Sequence, residues 1–297
     1  MRNFDYFAPQ SLSDATSLLR RYGTKARLLA GGTDLLLRLE RRLIETSVVV
    51  DLKKIRALRG IKATRKGLRI GAVTLMEEIA SSPLVQSRYG MIAKGAAAVG
   101  SIQTRNRATL GGNLCNASPA ADTAPPLIAL SARARIAGSR RDREVPLEEF
   151  FIGPGKTCLQ PNELLKEIFI PSPAGRSGSS FQRCTRTAMD IALVNCAVFL
   201  SLVSKREIVA DIRIALGAVA PTPVRAQPAE DVLKGKNPDK DAIEEAAERA
   251  VASVSPIDDV RSSASYRREM VRVLTRRAIE EALKEALGSA RGGSASG

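Results

Sequence analysis

The spacing of apolar residues predicts a helix near the start of the chain. Leucine and alanine recur every three or four positions across residues 11–22, and this period is typical of an amphipathic helix. Ser11 or Ser13 can cap its beginning, because a serine hydroxyl accepts hydrogen bonds from the first free N–H groups of a helix. Gly23 follows the last periodic position and is typical of a helix end.

A glycine pair interrupts the next part of the pattern. The apolar run at 27–30 predicts a short strand that leads into Gly31–Gly32, and residues 35–42 then look helical. A turn between a strand and a helix start is a natural anion site, because its N–H groups are free and the helix dipole favours negative charge. With a buried strand at 47–52, residues 1 to about 55 are expected to form a β-α-β unit.

The pattern changes to paired strands beyond this unit. Alternating residues at 60–63 and 67–73 predict a β-hairpin or two adjacent strands. Thr74, with Glu77 three positions later, has the spacing of a helix capping box. The alanine-rich residues 91–99 predict a buried helix.

The longest run of glycine and short polar side chains lies at residues 108–122. It begins with small and β-prone residues, breaks at Gly111–Gly112 and continues with asparagine, serine and aspartate. Glycine lets the backbone approach a ligand, and these side chains supply hydrogen bonds. We interpret each glycine pair as a turn after an apolar strand. Together the pairs predict two N–H surfaces that hold a diphosphate between them.

The region after this run predicts a helix, two strands and a tight turn. The proline pair 125–126 is typical of a helix start, and strands are expected at 132–137 and 144–147. Residues 153–157 read Gly-Pro-Gly-Lys-Thr, which is similar to the end of a phosphate loop. Such a loop requires another glycine at the position of Phe150, so an ATP site is not predicted.

The stretch 171–180 has the glycine, serine and proline content of a linker, and we place a domain boundary there. A chain of 297 residues is also long for one hydrophobic core. The second domain is expected to contain buried strands at 192–203 and 208–219, the latter bent at Gly217, and amphipathic helices at 239–253 and 264–288.

Composition narrows the possible functions. The chain has no His, and its four cysteines (Cys115, Cys158, Cys184 and Cys196) are too dispersed for a zinc or iron–sulfur site, so no metal is expected. The net charge of +15 is spread in pairs and triplets, which argues against a nucleic-acid interface. No apolar run approaches the roughly 20 residues of a membrane span. A signal peptide is not predicted either, so the expected location is cytoplasmic.

The chain resembles the flavin subunits of the molybdenum hydroxylases. This family includes xanthine dehydrogenase, aerobic carbon monoxide dehydrogenase, nicotinate and quinoline dehydrogenases and 4-hydroxybenzoyl-CoA reductase. The resemblance covers nearly the whole chain, and the distance between its two glycine motifs is specific to this flavoprotein fold. The motifs that carry it are Ala30-Gly31-Gly32-Thr33-Asp34, Arg105-Asn106 with 108–113, Ser118-Pro119 with Asp122, and the segments 150–157, 215–223 and 265–268.

The resemblance implies an α+β fold. A two-subdomain FAD-binding domain of the PCMH/VAO type would occupy residues 1–173, with subdomains at about 1–56 and 57–173. A C-terminal α+β domain with a three-stranded antiparallel sheet and helices would occupy 178–288, and residues 289–297 would form a disordered tail.

The resemblance also implies which residues contact FAD. Residues 28–35 and 109–116 would grip the pyrophosphate and ribityl chain, and Asp122 would bond polar groups of the cofactor. Either Gln182 or Arg183 would stand where many members carry a lysine near the flavin. Ala121 replaces a serine of the animal members, so one cofactor hydrogen bond is expected to be missing. The full predicted set is Leu28, Leu29, Ala30, Gly31, Gly32, Thr33, Asp34, Leu35, Thr109, Gly111, Gly112, Asn113, Cys115, Asn116, Asp122, Leu164, Leu165, Gln182 and Arg183, of which Leu164 and Leu165 would line the isoalloxazine or adenine region.

The function implied by the resemblance divides the chemistry among subunits. A molybdopterin-binding large subunit would transform the substrate, and an iron–sulfur small subunit would carry two [2Fe–2S] clusters. This chain would pass electrons through FAD to NAD⁺, a quinone, oxygen or another acceptor, within a dimer of heterotrimers. It has no acid–base pair for substrate chemistry, and no catalytic residue is predicted. The alternative is a self-sufficient flavin oxidase, against which the absence of His and the small C-terminal domain weigh.

Overall fold

A computed structural model of the chain describes residues 3–138, 141–173, 175–203 and 206–288; the predicted tail, 289–297, lies outside these ranges. The N-terminal part is a parallel three-stranded sheet with two helices. The apolar pattern predicts both helices and two of these strands, but not the strand at Asp5–Phe7. The Ser11 hydroxyl caps the first helix by accepting a hydrogen bond from the Asp14 N–H at 3.1 Å. The elements are β1 (Asp5–Phe7), α1 (Leu12–Tyr22), β2 (Ala26–Leu29), α2 (Leu35–Glu40) and β3 (Val48–Asp51).

The central part contains a five-stranded antiparallel sheet, a small hairpin and six short helices. The predicted hairpin after residue 60 and the strands on either side of residue 140 are all present. The elements are β4 (Ile61–Thr64), β5 (Gly67–Gly71), α3 (Met76–Ser81), α4 (Pro83–Arg88), α5 (Gly90–Ala97), α6 (Ile102–Arg105), α7 (Leu110–Asn116), α8 (Ala124–Ala129), β6 (Arg133–Gly138), β7 (Arg143–Pro146), β8 (Phe151–Gly153), β9 (Lys156–Thr157) and β10 (Glu163–Pro171). Strand β10 lies at the centre of the sheet, whose order is β4-β5-β10-β6-β7.

Two local predictions for this part are wrong. Helix α3 begins one residue later than predicted: the Leu75 N–H donates to Glu78 at 3.2 Å, and the Thr74 hydroxyl instead accepts a hydrogen bond from the Gly60 N–H at 2.9 Å. The second glycine pair is not a turn after a strand, because it lies in the first turn of α7. The Thr109 hydroxyl caps this helix by accepting from the Gly112 N–H at 3.1 Å.

The C-terminal part is a four-stranded antiparallel sheet covered by three helices. It has the three long strands of the expected sheet and a fourth strand of two residues. The elements are β11 (Arg176–Cys184), β12 (Val194–Leu202), β13 (Val209–Gly217), β14 (Val224–Arg225), α9 (Gln227–Leu233), α10 (Lys240–Val251) and α11 (Ala264–Gly288). Strand β11 begins inside the stretch interpreted as a linker. Its Gly178 has a structural role, because a Cβ there would lie 2.0 Å from the Ala282 carbonyl oxygen of α11.

The C-terminal sheet belongs to two hydrophobic cores at once. One face contributes Phe181, Ala197 and Phe199 to the core of the central part. The opposite face contributes Val198 and Ile214 to a core shared with α9, α10 and α11. Strand β11 can therefore send neighbouring side chains either toward the central part or toward α11. None of the helices in the described residues is long and apolar enough to cross a membrane.

A buried arginine connects α11 to the ends of the long strands. The Arg267 guanidinium donates to the carbonyl oxygens of Leu193 at 2.6 Å and Ala218 at 3.2 Å, and to the Asp259 carboxylate at 2.9 Å. Burial acts to raise the pKa of Asp259, but hydrogen bonds from Arg261, Ser262 and Arg267 lower it to about 2. The tyrosine–arginine motif at residues 265–268 thus has a structural role in the fold.

Candidate functional site

The two glycine motifs meet in the structure. A Cβ on Gly31 would lie 2.1 Å from the carbonyl oxygen of Arg107 and 3.0 Å from the Cα of Ala108. The Asn116 side-chain amide also donates to the Asp34 carboxylate at 3.1 Å. The segment after β2 and the segment leading into α7 therefore form one surface, as the sequence predicts.

The first turn, residues Gly31–Asp34, offers a run of free N–H groups. Within the described residues, the backbone N–H groups of these four positions donate no hydrogen bond, whereas the Leu36 N–H donates to the Gly32 carbonyl oxygen at 3.1 Å. Gly32 has φ of 81°, a left-handed conformation that favours glycine. Successive free N–H groups in a half-buried turn form a concave site that suits an anion.

The second glycine pair, Gly111–Gly112, has no such free N–H groups. The Leu110 N–H donates to Thr74 at 3.0 Å and the Gly111 N–H donates to Ala72 at 2.8 Å, both to carbonyl oxygens. The Gly112 N–H is used by the Thr109 cap. The expectation of two N–H surfaces is therefore correct for the first turn and wrong for α7, because the start of α7 hydrogen-bonds to the chain that follows β5.

The two glycines of this pair face different surroundings. A Cβ on Gly111 would lie 2.7 Å from both the Cβ and the carbonyl oxygen of Ala72, so this glycine allows the helix to pack on the protein itself. A Cβ on Gly112 would meet only the Thr109 hydroxyl, at 2.9 Å, within 4 Å. Gly112 thus leaves an open surface beside the first turn, where backbone can approach a ligand.

A cationic cleft adjoins both segments. The Lys53 ammonium lies 2.8 Å from Asp51, and Arg59 forms an ion pair with Glu78. The Arg107 side chain, in contrast, makes no hydrogen bond or ion pair with the described residues. The cleft has a volume of about 170 Å³ and is lined by Gly31, Lys53, Arg59, Val73, Leu75, Asn106, Arg107 and Thr109.

The three cations of this cleft are absent from the predicted site. Lys53 follows the carboxyl end of β3, beside the end of β2 in the same parallel sheet, where ligands often bind. Since the N-terminal β-α-β unit is predicted from the sequence, this rule for parallel strands could have indicated Lys53. Arg59 and Arg107 come from other elements, and only the folded structure brings them together.

A buried carboxylate holds Lys53 in place. Asp51 accepts hydrogen bonds from the Tyr6 hydroxyl at 2.5 Å and the Lys53 backbone N–H at 2.9 Å, besides the Lys53 ammonium. Burial acts to raise the pKa of Asp51, but these hydrogen bonds hold it below its usual range. The carboxylate therefore stays charged and keeps the ammonium at the cleft.

Asp122, which is buried, and Arg183, which is half-buried, form an ion pair near α7. Asp122 accepts from Arg183 Nε at 3.0 Å and from the Asn195 amide at 2.9 Å. Burial raises the pKa of Asp122 above its usual range, although both partners act to lower it. Asn113 accepts a hydrogen bond from the Thr123 hydroxyl at 2.6 Å, which places the pair beside α7.

The structure separates Gln182 from Arg183. Successive residues of β11 point to opposite faces of the sheet. Gln182 therefore faces α11, where its amide donates to Ser180 at 3.3 Å and to Glu281. Arg183 faces Asp122 in the central part. Of the two candidates, only Arg183 lies with the other predicted site residues.

Several predicted residues lie in the hydrophobic cores instead of on the surface. Leu164 is 0% exposed and Leu165 is 3% exposed, because the central strand β10 is covered on both faces. Their side chains therefore pack in the protein interior, and the role of these two leucines at the cofactor stays a prediction. Cys115 is half-buried, and burial raises the pKa of its thiol to about 12. The predicted residues that keep exposed surface in the two loops are Leu28, Ala30, Gly31, Gly32, Thr33, Asp34, Leu35, Gly112, Asn113, Cys115 and Asn116.

Comparison with known proteins identifies two family regions in the chain. The family described as "FAD binding domain in molybdopterin dehydrogenase" matches residues 2–173. The family described as "CO dehydrogenase flavoprotein C-terminal domain" matches residues 179–282.

Individual relatives are similar over almost their whole length. The carbon monoxide dehydrogenase medium chain of Hydrogenophaga pseudoflava is 36% identical over 279 residues, which cover 94% of this chain and 96% of the relative. A putative xanthine dehydrogenase FAD-binding subunit of Escherichia coli K12 is 34% identical over 286 residues, 95% of this chain and 97% of the relative.

A solved structure has the same fold. In the carbon monoxide dehydrogenase of H. pseudoflava that lacks the Mo-pyranopterin moiety of its molybdenum cofactor, one chain aligns with a TM-score of 0.92 and 36% identity, covering 96% of this chain and 98% of that chain. The family predicted from the glycine motifs and the α+β fold are thus confirmed. This chain belongs to the FAD-binding subunits of the molybdenum hydroxylase family.

Proposed function

We propose that this chain binds FAD with the diphosphate on the first turn, Gly31–Asp34. The observation that carries the proposal is the run of four backbone N–H groups without an acceptor, next to a cationic cleft. Backbone N–H groups that a bound cofactor covers need an acceptor, and phosphate oxygens would accept their hydrogen bonds.

The cleft would supply the counter-charge for the diphosphate. Lys53 and Arg59 are held at the cleft by ion pairs with Asp51 and Glu78, so most of their charge is offset within the chain. Arg107 has no partner in the described residues and is the cation best able to contact a phosphate directly. Arginine suits this role because its planar guanidinium can bond two phosphate oxygens.

Helix α7 and the Asp122–Arg183 pair would form the rest of the cofactor surface. Gly112 leaves the surface of α7 open, and the amides of Asn113 and Asn116 lie along the same helix. Bound FAD supplies the electron-accepting and electron-donating chemistry of the subunit. Arg183 would stabilise negative charge on the reduced cofactor, and Asp122 would hold the arginine in position.

The chain would act as the middle component of a larger enzyme. Its relatives are named as medium chains and FAD-binding subunits of dehydrogenases, which supports a subunit and not a self-sufficient oxidase. We propose a molybdopterin-binding large subunit as the site of substrate chemistry and an iron–sulfur small subunit as the electron donor, assembled as a dimer of heterotrimers. The net charge of +15 would favour acidic partner surfaces.

A flavin titration tests the proposed cofactor site. The flavin-free chain is titrated with FAD, FMN and riboflavin, and binding is followed by flavin fluorescence. We expect FAD to bind at least about 100-fold more tightly than riboflavin, because a desolvated diphosphate makes several charge-assisted hydrogen bonds. The variant Arg107→Met should weaken FAD but leave riboflavin binding unchanged. Equal affinity for all three flavins would contradict a diphosphate site at this turn.

A further inference from the structure

Strand β12 is buried along its whole length and yet carries an asparagine. All residues of Val194–Leu202 are buried, and Asn195 is 0% exposed. Its side-chain amide donates to Asp122 Oδ1 at 2.9 Å, but its own Oδ1 has no hydrogen-bond partner among the described residues. A buried carbonyl oxygen without a donor is unfavourable, and an apolar side chain of similar size would avoid it. The bond to Asp122 is therefore what asparagine offers at this position.

The described part of the chain has three other buried side-chain atoms without a partner. They are Arg213 Nε, Ser253 Oγ and Arg267 Nε. Both arginines use their other nitrogens to bond residues outside the predicted site. Asn195 is the member of this group that bonds a predicted cofactor residue.

Asn195 lies in a row of three residues across the C-terminal sheet. The strand register places it directly opposite Arg183 of β11 and Gly217 of β13. Residues directly opposite each other point to the same face of a sheet. Accordingly, Arg183 Nε and the Asn195 amide donate to the same oxygen, Asp122 Oδ1, at 3.0 and 2.9 Å. The other oxygen, Oδ2, makes no hydrogen bond or ion pair with the described residues.

Gly217 makes room for the asparagine amide. A Cβ on Gly217 would lie 2.3 Å from Asn195 Oδ1 and 3.0 Å from Pro125 Cγ. Gly217 does not have a positive φ, so this position needs glycine for space and not for its backbone conformation. A larger residue here would push the amide away from Asp122.

The charged group that acts on Asp122 is Arg183 of β11. Helices α7 and α8 contain no charged side chain. Lys94 of α5, the helix next to the Asp122 backbone, pairs with Glu281 at 3.1 Å instead. Arg183 and Asn195 both act to lower the pKa of Asp122 against the effect of its burial. Asn195 is therefore the second, uncharged donor that holds this carboxylate against the arginine.

We propose that Asn195 is a positioning residue for the cofactor. It fixes Asp122 through Oδ1, and thereby orients both Asp122 and the Arg183 guanidinium for the bound flavin. The inference rests on the proposed function as a flavin subunit. It adds a residue of the C-terminal sheet that lies outside the motifs carrying the family resemblance.

An isosteric carboxyl at this position tests the hydrogen bond. In Asn195→Asp, a protonated side chain can donate to Asp122 as the amide does, whereas an ionised one repels it. The flavin-free full chain is titrated with FAD at about pH 5.5 and about pH 8.5, where such a pair of carboxyls changes its protonation. Flavin fluorescence gives the affinity. Relative to the wild type at the same pH, we expect an affinity within about threefold at the lower pH and a loss of at least about tenfold at the higher pH.

Asn195→Leu removes the donor at both pH values. FAD affinity should fall at least about tenfold at each, because no side-chain proton can replace the lost hydrogen bond. Ser201→Val is the matched control. Ser201 lies on the same face of β12, is 8% exposed and makes no side-chain hydrogen bond with the described residues. Its FAD affinity should stay within about twofold of the wild type at both pH values.

Urea denaturation of the flavin-free variants shows whether they fold. Because Asn195→Asp has the shape of the wild-type side chain, it decides the question even where Asn195→Leu is unfolded. A merely structural role for Asn195 would give Asn195→Asp the same loss at both pH values.

The outcomes separate this inference from the proposed function. A loss in Asn195→Asp that appears only at the higher pH supports the inference. If Asn195→Asp binds FAD like the wild type at both pH values, or is weakened equally at both, the bond to Asp122 does not position the cofactor, and the inference is overturned while the flavin-subunit proposal stands. If the wild-type chain binds no FAD at either pH, the proposed function itself fails, and this inference fails with it.

Discussion

The two glycine pairs look alike in sequence and differ in the folded chain. The first, Gly31–Gly32, forms a turn whose N–H groups have no acceptor among the described residues. The second, Gly111–Gly112, lies in the first turn of α7, where the N–H groups are already hydrogen-bonded. The first pair therefore offers hydrogen-bond donors to an anion. The second pair offers a surface without side chains.

The difference shows that glycine is needed for unlike reasons within one site. Gly31 and Gly111 let two backbones pack together, because a Cβ on either would lie closer than 3 Å to backbone atoms. Gly32 permits a left-handed turn. Gly112 alone faces open space apart from its own cap. Substitutions at these positions should therefore separate effects on folding from effects on cofactor binding.

The largest expected effect is that of Gly31→Ala. Its Cβ would lie 2.1 Å from the Arg107 carbonyl oxygen, and neither backbone can move without separating the two segments. We expect a loss of about 3 kcal/mol in the free energy of unfolding together with loss of flavin. Urea denaturation and the flavin-to-protein absorbance ratio measure the two effects.

Gly153→Ala is the control for this variant. Nothing lies within 4 Å of the added Cβ at Gly153, which is in the same part of the chain as the Arg107 segment. Its stability and flavin content should match the wild type. A Gly31→Ala variant as stable as this control would show that the two segments do not pack as the structure describes.

A pair of variants at the second glycine pair gives the next largest effect. Gly111→Ala should destabilise the chain by about 2 kcal/mol, because its Cβ meets Ala72 backbone. Gly112→Val should cost no more than about 1 kcal/mol, through displacement of the Thr109 cap. Only Gly112→Val should abolish flavin binding by the folded chain, since it alone puts a side chain on the cofactor surface. Urea midpoints and FAD titrations compare the two, and full FAD content in Gly112→Val would remove α7 from the site.

The smallest expected effect concerns stability as a function of pH. Two buried carboxylates should contribute to the free energy of unfolding with opposite pH dependence. The folded-state pKa of Asp51, beside the first turn, is lowered. Its stabilising contribution is complete above the unfolded value of about 3.9 and is lost as the pH falls through the folded value. The destabilisation caused by Asp51→Asn should therefore shrink in acid.

Asp122, beside α7, should show the reverse. Its folded-state pKa is raised by burial, so its contribution is complete below about 3.9 and is lost as the pH rises through the folded value. The destabilisation caused by Asp122→Asn should therefore shrink as the pH rises. Urea denaturation of the flavin-free variants between pH 3 and 7 measures both. If the destabilisation caused by Asp51→Asn and by Asp122→Asn changed with pH in the same way, the two carboxylates would not differ in environment.

Local periodicity predicts most elements but not what they pack against. The helix after Ser11 and the long C-terminal strands have patterns that need no tertiary information. Helix α7 was missed although Leu110 and Leu114, both buried, have helical spacing, because the glycines between them indicate a turn. The neighbours Gln182 and Arg183 could be placed on opposite faces of a strand, but only the positions of α11 and Asp122 show which of them faces the other predicted site residues.

Other features of the site depend on tertiary structure. Leu164 and Leu165 lie in a strand covered on both faces, and such a run reads equally well as core or as the wall of a ligand site. Lys53, Arg59 and Arg107 come from three separate segments. No local pattern brings the three together, so only the folded chain shows that Arg59 and Arg107 join Lys53 at one cleft.

The contact between Gly31 and Arg107 has a consequence for how the protein is made. The first turn leaves the ribosome early, but its other wall is completed only after the central sheet has closed around β10. Asp122 can form its hydrogen bonds only after Arg183 and Asn195 of the C-terminal sheet have folded against it. At the proposed site, cofactor loading would therefore be a late event in biosynthesis, and flavin retention would report on the folding of nearly the entire polypeptide.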